Sequence, residues 1–259
     1  MKPTMKRTTN RPLPVRTGFT VHRLTRDPGH GDAPRRLHRL WWWAPALLTA
    51  GALAAGEFLW LRPSSLGSAH LEGDRGPGCV RLVIAADASG SMEQLAEPRR
   101  RAVQQLLAWA PDNLRPDDEL AVIEFAGDAV VQRRPSPISV QGLPGDIHPS
   151  TDGTRLTPVL DAVGGFEHSP CRTSLLLLSD GRMSDLPDSE ATATRELTRR
   201  GVHRIDLIVP GQVEVQPDWT RYYPTAPPDF FDGNDPDDTA VTIARHVAGS
   251  TGQALRRTF

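Results

Sequence analysis

This sequence has few cysteines and almost no net charge. Two cysteines, Cys79 and Cys171, among 259 residues exclude a disulfide-scaffold protein and are too few for a zinc cluster, although they can form one bridge. A formal net charge of −1 is not that of a strongly basic nucleic-acid-binding protein, and we expect no nucleic-acid partner. The ordinary overall composition also excludes collagen-like and coiled-coil proteins.

The charge is nevertheless divided between two parts of the chain. Residues 1–40 carry ten Lys and Arg against two Asp, a net charge of +8, whereas residues 62–259 carry twenty Arg against twenty-eight Asp and Glu, a net charge of −8. Residues 1–40 are also rich in Arg, Pro and Gly, without a sustained apolar period. We expect them to form a disordered basic cytoplasmic tail that contacts anionic lipid headgroups.

One long apolar run, Trp41 to Leu61, lies between these two parts. At about 1.5 Å per residue it would reach about 31 Å as a helix, which matches the hydrocarbon thickness of a bilayer. Trp residues at both ends of the run are typical of the two membrane interfaces. The pattern predicts one transmembrane helix over residues 41–61. Because basic residues stay on the cytoplasmic side, we expect residues 62–259 to be extracytoplasmic, at the cell membrane.

Other interpretations of this run stay open. A signal peptide could be cleaved near Ala55, although it would begin with an unusually long 40-residue basic region and the apolar run continues to Leu61. The Arg35-Arg36 pair is a weak match to a twin-arginine signal. A buried helix of a soluble domain would be expected to show a polar face, and this run shows none.

Beyond the apolar run, the pattern predicts one α/β domain. Residues 62–78 are mostly turn-forming and predict a linker. Within 79–259, runs of consecutive apolar residues predict buried strands that alternate with amphipathic helices, which is typical of a mostly parallel sheet covered on both faces. The strands are predicted at 79–87, 174–180 and 202–211, and the helices at about 98–110, 157–163, 189–200 and 239–248. Two further strands around Gly127-Asp128 predict one antiparallel edge strand.

Oxygen-bearing side chains follow two of the buried strands. The first strand ends at Asp87 and continues as D-x-S-x-S, with Ser89 and Ser91, and a later strand ends at Asp180. In a parallel sheet, function collects beyond the carboxyl ends of strands where the chain direction diverges. Oxygen ligands of this kind suit a hard cation such as Mg²⁺. Each residue alone has an ordinary alternative role, since serines cap helices and an Asp before Gly stabilises a turn.

A third segment, Thr151 to Thr154 (TDGT), lies between these two. With the three segments in this order, residues 79–259 resemble the von Willebrand factor A (VWA) domain family and its metal-ion-dependent adhesion site (MIDAS). The resemblance implies a doubly wound, Rossmann-like fold and a site for Mg²⁺, or Mn²⁺ or Ca²⁺. The resemblance implies that Ser89 and Ser91 coordinate the metal directly. Thr154, Asp87 and Asp180 would bind it directly or through water. Because the family has Gly-Gly-Thr where this chain has Asp-Gly-Thr, Thr151 and Thr157 are alternatives to Thr154.

The resemblance also implies a function. In the family, an acidic side chain of a protein partner completes the coordination of the metal, so we expect metal-dependent protein binding and no enzymatic reaction. One alternative is a metal-dependent hydrolase that uses Asp87 as nucleophile or base, although the sequence contains no G-x-S-x-G, H-E-x-x-H or P-loop motif. Another is an assembly or chaperone-type factor for a membrane or envelope complex, a role that some relatives have.

Two further expectations concern the cysteines and one long segment. The family's strand order makes the strands that end at Asp87 and Asp180 neighbours, which would bring Cys79 and Cys171 within bridging distance at their amino ends; the alternative is two buried thiols. Residues 211–238 mix aromatic and acidic side chains, and we expect a long loop that contacts a partner. Its acidic part, residues 231–238, is either a second cation site or a solvated loop.

Overall fold

The computed structural model describes residues 64–139, 149–150, 152–211 and 213–257. The predicted basic tail (1–40) and the predicted transmembrane helix (41–61) lie outside these residues. Among the helices of the described ranges, none is both long enough and apolar enough to cross a membrane.

The described residues form an α/β domain that contains one large and one small sheet. Two short 3-10 helices, Leu66–Ser68 and Gly90–Leu95, precede β1 and α1 respectively. The other elements, in chain order, are β1 (Ala69–Glu72), β2 (Val80–Asp87), α1 (Ala96–Asn113), β3 (Glu119–Phe125), β4 (Ala129–Pro137), α2 (Thr157–Gly164), β5 (Arg172–Leu178), α3 (Glu190–Arg199), β6 (Val202–Pro210), α4 (Pro217–Tyr222), β7 (Asp229–Phe231), α5 (Pro236–Thr251) and β8 (Ala254–Arg257).

The large sheet has the strand order β4-β3-β2-β5-β6-β7. All neighbours are parallel except β3 and β4, which are antiparallel. The predicted mostly parallel sheet with one antiparallel edge strand is therefore confirmed. The chain runs outward from β2 to β4 and then returns to β5 on the other side of β2. The carboxyl ends of β2 and β5 thus flank the point where the chain diverges, which is where such sheets place their binding sites.

Helices cover both faces of the large sheet. In β2, Val83 and Ala85 belong to a core layer that includes apolar residues of α2 and α3. Leu82 and Ile84, which point to the opposite face, belong to a second layer with α1 and α5. Burial on both faces explains why β2 has consecutive apolar residues instead of an alternating pattern.

The predicted linker contains part of the folded domain. Residues 69–72 form β1, which pairs antiparallel with β8 at the other end of the domain. Ala69 is buried, and its carbonyl accepts a hydrogen bond from Trp109 Nε1 in α1 at 2.8 Å. The turn-forming composition of residues 62–78 did not reveal this strand, because four residues are too few for a period and the partner strand lies about 185 residues away.

Cys79 and Cys171 form a disulfide, as the resemblance to the VWA family implies, with their Cα atoms 4.6 Å apart. Each cysteine directly precedes the first residue of its strand, β2 or β5. The adjacent Arg172 N–H donates to the carbonyl of Cys79 at 3.0 Å. The bridge therefore joins the amino ends of the two central strands, at the edge of the sheet opposite Asp87 and Asp180.

Residues 211–238 are more ordered than the predicted long loop, because they contain α4 and β7. Trp219 is fully buried, stacks against buried Tyr223 with ring centroids 4.5 Å apart, and donates from Nε1 to the carbonyl of Ala226 at 2.8 Å. Phe230, by contrast, is 47% exposed. Most of the aromatic side chains expected at a partner surface therefore belong to the core.

Three of the acidic residues of this segment accept hydrogen bonds from backbone N–H groups. Asp235 is the N-cap of α5 and accepts from the N–H of Asp237 at 2.9 Å. Asp232 accepts from the N–H of Asn234 at 3.0 Å, and Asp238 accepts from the N–H of Asp232 at 2.7 Å. These contacts are ordinary capping and turn interactions, and they give residues 231–238 a structural role.

A partly buried histidine, His246, holds α5 against the sheet. His246 Nδ1 lies 3.4 Å from Asp206 Oδ1 in β6, and Nε2 lies 3.3 Å from Asp229 Oδ2 in β7. Arg204 pairs with Asp206, and Arg245 pairs with Asp229. Burial opposes the charged form of His246, but the hydrogen bonds and charges of the two carboxylates outweigh it and raise the pKa of His246.

We therefore expect the free energy of unfolding to fall as the pH rises from about 6.5 through the raised pKa of His246. A histidine whose pKa is raised in the folded state stabilises the fold below its unfolded pKa of about 6.5, and this contribution is lost as the pH rises through the folded pKa. Urea unfolding at several pH values measures the slope of the free energy of unfolding against pH. His246→Gln should flatten it, whereas His168→Gln, at an exposed position, should not. An unchanged slope in the His246 variant would exclude this network as its source.

Candidate metal centre

The first loop of the candidate centre begins where β2 ends. Asp87 is fully buried (0% exposed), and its two oxygens are both engaged. Oδ1 accepts from the N–H of Ser89 at 2.9 Å, and Oδ2 accepts from Ser179 Oγ, in the loop after β5, at 2.6 Å. The carboxylate of Asp87 therefore ties the loops after β2 and β5 together.

The third loop places Asp180 beside the serines of the first loop. Strand β5 ends at Leu178, two residues before the predicted end, so Asp180 lies in the loop itself. Its Oδ1 accepts from the N–H of Arg182 at 3.0 Å, and its Oδ2 accepts from Ser91 Oγ at 2.9 Å. Ser91 Oγ in turn lies 3.3 Å from Ser89 Oγ. Four of the five predicted ligands thus belong to one hydrogen-bonded group.

The second loop brings Thr154 against the third loop. Thr154 is 7% exposed, and its carbonyl accepts from both the N–H of Ser184 at 2.9 Å and Ser184 Oγ at 3.1 Å. Of the two alternatives, Thr157 is the first residue of α2 and Thr151 lies outside the described residues. Thr154 is therefore the described candidate that lies in the second loop itself, whereas Thr157 already belongs to the helix that follows.

Electrostatics favour a cation at this place. Burial raises the pKa of Asp87, hydrogen bonds from Ser179 and Ser89 oppose that rise, and the nearby charge of Asp180 adds to it. Asp87 and Asp180 are both buried, and the ionised form of Asp87 is disfavoured there unless a positive charge offsets its burial. A divalent cation would supply that charge.

The spacing of the oxygens fits a small hard cation. With metal–oxygen distances of about 2.1 Å, neighbouring ligands of octahedral Mg²⁺ lie about 3.0 Å apart. The separations of 3.3 Å between Ser89 Oγ and Ser91 Oγ and 2.9 Å between Ser91 Oγ and Asp180 Oδ2 are close to that value. In the described part of the chain, the candidate centre included, no group of three or more His, Cys, Asp or Glu is placed to hold a metal. Hydroxyl ligands are therefore essential to the candidate centre.

Arg99, in the first turns of α1, also contacts the candidate centre and was not found from the sequence. Its side chain is buried, and Nη1 donates to the carbonyl of Asp87. Burial lowers the pKa of Arg99, while the charges of Glu124 and Asp87 oppose that effect. The sequence gives no signal for this role, because Arg99 is one of three consecutive arginines and the other two are exposed.

Comparison with known proteins identifies the fold. No family model and no curated protein matches the chain. A von Willebrand factor type A protein from Catenulispora acidiphila is 18% identical, with a TM-score of 0.50, over 71% of this chain and 50% of that one. The pilus adhesin SpaC from Lactobacillus rhamnosus GG, in its open conformation, is 11% identical, with a TM-score of 0.50, over 70% of this chain and 31% of that one.

A third structure is proximal thread matrix protein 1 from the mussel byssus with a zinc-occupied MIDAS motif. It is 12% identical, with a TM-score of 0.47, over 66% of this chain and 48% of that one, and it adds nothing to the assignment. The chain spans about half the length of the first solved structures that it matches. The likeness to the Catenulispora protein shows that the chain has the VWA fold, as the sequence predicts.

Gly127 allows the second loop to lie close to the turn between β3 and β4. A Cβ atom at this position would lie 2.2 Å from the carbonyl oxygen of Asp152, two residues before Thr154. We expect Gly127→Ala to lower the free energy of unfolding by about 1–3 kcal/mol, since backbone must move to accept the methyl group. Urea unfolding measures the change. Gly67→Ala is the control, because nothing lies within 4 Å of its added Cβ, and equal effects of the two substitutions would contradict the expectation.

Proposed function

We propose that this chain is a metal-dependent protein-binding module whose partner supplies an acidic side chain. The observation that carries the proposal is the group of oxygens formed by Asp87, Ser89, Ser91 and Asp180 at the carboxyl ends of β2 and β5. This is the place where a doubly wound sheet binds its ligands. The resemblance of the three loops to the MIDAS motif supports the same function.

The residues of the three loops have different roles in this proposal. Ser89 and Ser91 hold the cation directly, and Thr154 and Asp180 hold it directly or through water. Asp87 acts through water or by orienting the serines, since both of its oxygens accept hydrogen bonds from the protein. When bound, Mg²⁺, Mn²⁺ or Ca²⁺ supplies a coordination position that an Asp or Glu of the partner can occupy. Ser91 is exposed, which leaves the centre accessible from that side.

A hydrolase that uses Asp87 as nucleophile or base is less well supported. The carboxylate is fully buried, and Ser89 and Ser179 occupy its oxygens. A nucleophile needs a free oxygen that a substrate can approach. An assembly factor for a membrane or envelope complex would use the same metal-dependent binding with a different partner, and the identity of the captured partner distinguishes it.

We expect the chain to bind Mg²⁺ and Mn²⁺, and Ser91→Ala and Asp180→Asn each to weaken binding at least about tenfold. Each substitution removes a side-chain oxygen that either binds the metal or orients a residue that does. Loss of a residue that only orients a metal ligand already lowers metal affinity by about tenfold or more. Isothermal titration calorimetry measures the affinity. Asp188→Asn, at an exposed position, is the control and should bind as the unmodified chain does.

A peptide-binding experiment tests whether the partner supplies an acidic side chain. Immobilised peptides that contain Asp or Glu should bind the chain in Mg²⁺, and binding should disappear in EDTA or when Asn and Gln replace the acids. Absence of cation binding by the unmodified chain would overturn the proposal. Metal-dependent hydrolysis of the peptides that is lost in Asp87→Ala would favour the hydrolase instead.

We also propose that residues 62–259 face outward, anchored by residues 41–61 with residues 1–40 in the cytoplasm. The Cys79–Cys171 bridge supports the location, because disulfides persist in oxidising compartments. Protease added to intact cells, after permeabilisation of any outer layer, should digest the domain and spare residues 1–40. N-terminal sequencing of the mature protein provides the second measurement, and a start near Gly56 would overturn the anchor.

A further inference from the structure

The second loop of the candidate centre is held from two sides. On one side, the N–H of Arg155 donates to the carbonyl of Ala126 at 2.8 Å, in the turn between β3 and β4. On the other side, Ser184 donates from its N–H and its hydroxyl to the carbonyl of Thr154. Ser184 belongs to the loop of Asp180, four residues further along the chain. The position of Thr154 relative to Asp180 therefore depends on contacts made by this loop.

Asp185, the next residue, makes a second connection between the same loops. Its Oδ1 accepts from the N–H of Leu156 at 2.6 Å, and its Oδ2 accepts from the N–H of Thr157 at 2.8 Å. These N–H groups open α2 and lack partners within the helix. Leu156, at the N-cap position, has no polar side-chain atom that could accept from them. The cap of α2 therefore comes from a residue 28 positions away.

A cap of this kind does more than stabilise its own helix. A Ser or Asp in the flanking turn would satisfy the same N–H groups without fixing α2 to any other segment. Asp185 instead joins the start of α2 to a loop that is itself packed tightly, since Met183 is buried and a Cβ on Gly181 would lie 2.9 Å from Val215 Cγ1. The tightly packed loop of Asp180 therefore fixes the position of Thr154 through the hydrogen bonds from Ser184.

We propose that Asp185 is a positioning residue of the metal centre, and that together with Ser184 it fixes Thr154 in place relative to Asp180. This inference rests on the proposed metal-binding function. Asp185 contacts neither Asp87 nor the serines of the first loop in these hydrogen bonds; it acts through the backbone that carries Thr154. Without its carboxylate, the N–H groups of Leu156 and Thr157 turn to water, and the second loop is held to the third by Ser184 alone.

Asp185→Ala is expected to weaken Mn²⁺ binding about tenfold, the size of effect seen when a supporting residue of a metal site is lost. In the metal-free chain, the amide hydrogens of Leu156 and Thr157 should exchange faster, while those of β2 and β5 keep their protection. Ser189→Ala is the matched control. Ser189 caps α3 by accepting from the N–H of Thr192 at 3.3 Å, and this cap does not connect two loops of the candidate centre. Ser189→Ala should therefore leave the Mn²⁺ affinity unchanged.

A double-mutant cycle with Thr154→Ala separates positioning from general loss of stability. If Asp185 acts through Thr154, Asp185→Ala should weaken Mn²⁺ binding in the unmodified chain and have little further effect in the Thr154→Ala background. An equal loss in both backgrounds would overturn the inference. If Asp185→Ala fails to fold, Ser184→Ala, which removes one hydrogen bond to Thr154, replaces it in the cycle with the same expectation.

The outcomes also separate this inference from the proposed function. Mn²⁺ binding that Thr154→Ala weakens and Asp185→Ala leaves unchanged would overturn the positioning role and leave the metal centre standing. Absence of Mn²⁺ binding by the unmodified chain would overturn the proposed function, and the positioning role with it.

Discussion

The parallel pairing of β2 with β5 is the constraint on which the rest of the structure depends. Its register places Val80 opposite Arg172 and Ala86 opposite Leu178. One residue beyond each end, the same register brings Cys79 to Cys171 and Asp87 to Ser179, where a disulfide and a 2.6 Å hydrogen bond form. A slip of one residue would reverse the faces of every side chain in the slipped strand. The covalent bridge and the candidate metal centre therefore require one and the same register.

Burial of Asp87 gives this arrangement a cost that the surrounding residues offset only in part. Its carboxylate accepts two hydrogen bonds, from Ser89 and Ser179, and its backbone carbonyl accepts one from the guanidinium of Arg99. Burial still raises the pKa of Asp87, so the ionised carboxylate is disfavoured relative to its state in water. A ligand that binds only the folded chain stabilises it. A cation bound beside Asp87, as proposed, would therefore stabilise the fold and couple stability to binding.

The sequence reveals those features whose signal is local or periodic. Consecutive apolar residues predict β2, β5 and β6, and the resemblance to VWA domains supplies the strand order that pairs Cys79 with Cys171. Features that depend on distant partners were missed, such as the pairing of β1 with β8 and the cap that Asp185 gives to α2. Residues 211–238 were expected to form a long loop whose aromatic side chains contact a partner, yet Trp219 lies in the short helix α4 and is completely buried. Local composition does not report which face of a six-residue helix is covered.

The small number of carboxylates at the candidate centre bears on what it would bind. In the proposed centre, two ionised carboxylates, Asp87 and Asp180, would balance the charge of a divalent cation, and the remaining oxygens would come from uncharged hydroxyls. A third carboxylate in place of Ser89 or Ser91 would hold the cation more tightly, but the loaded site would be negative and would repel an acidic ligand. Arg99 donates to the carbonyl of Asp87. Its positive charge interacts with Glu124 and Asp87 and so does not add to the negative charge of the site. Hydroxyl ligands would therefore leave the loaded centre without excess negative charge, and under that condition the metal would attract an Asp or Glu of the proposed partner.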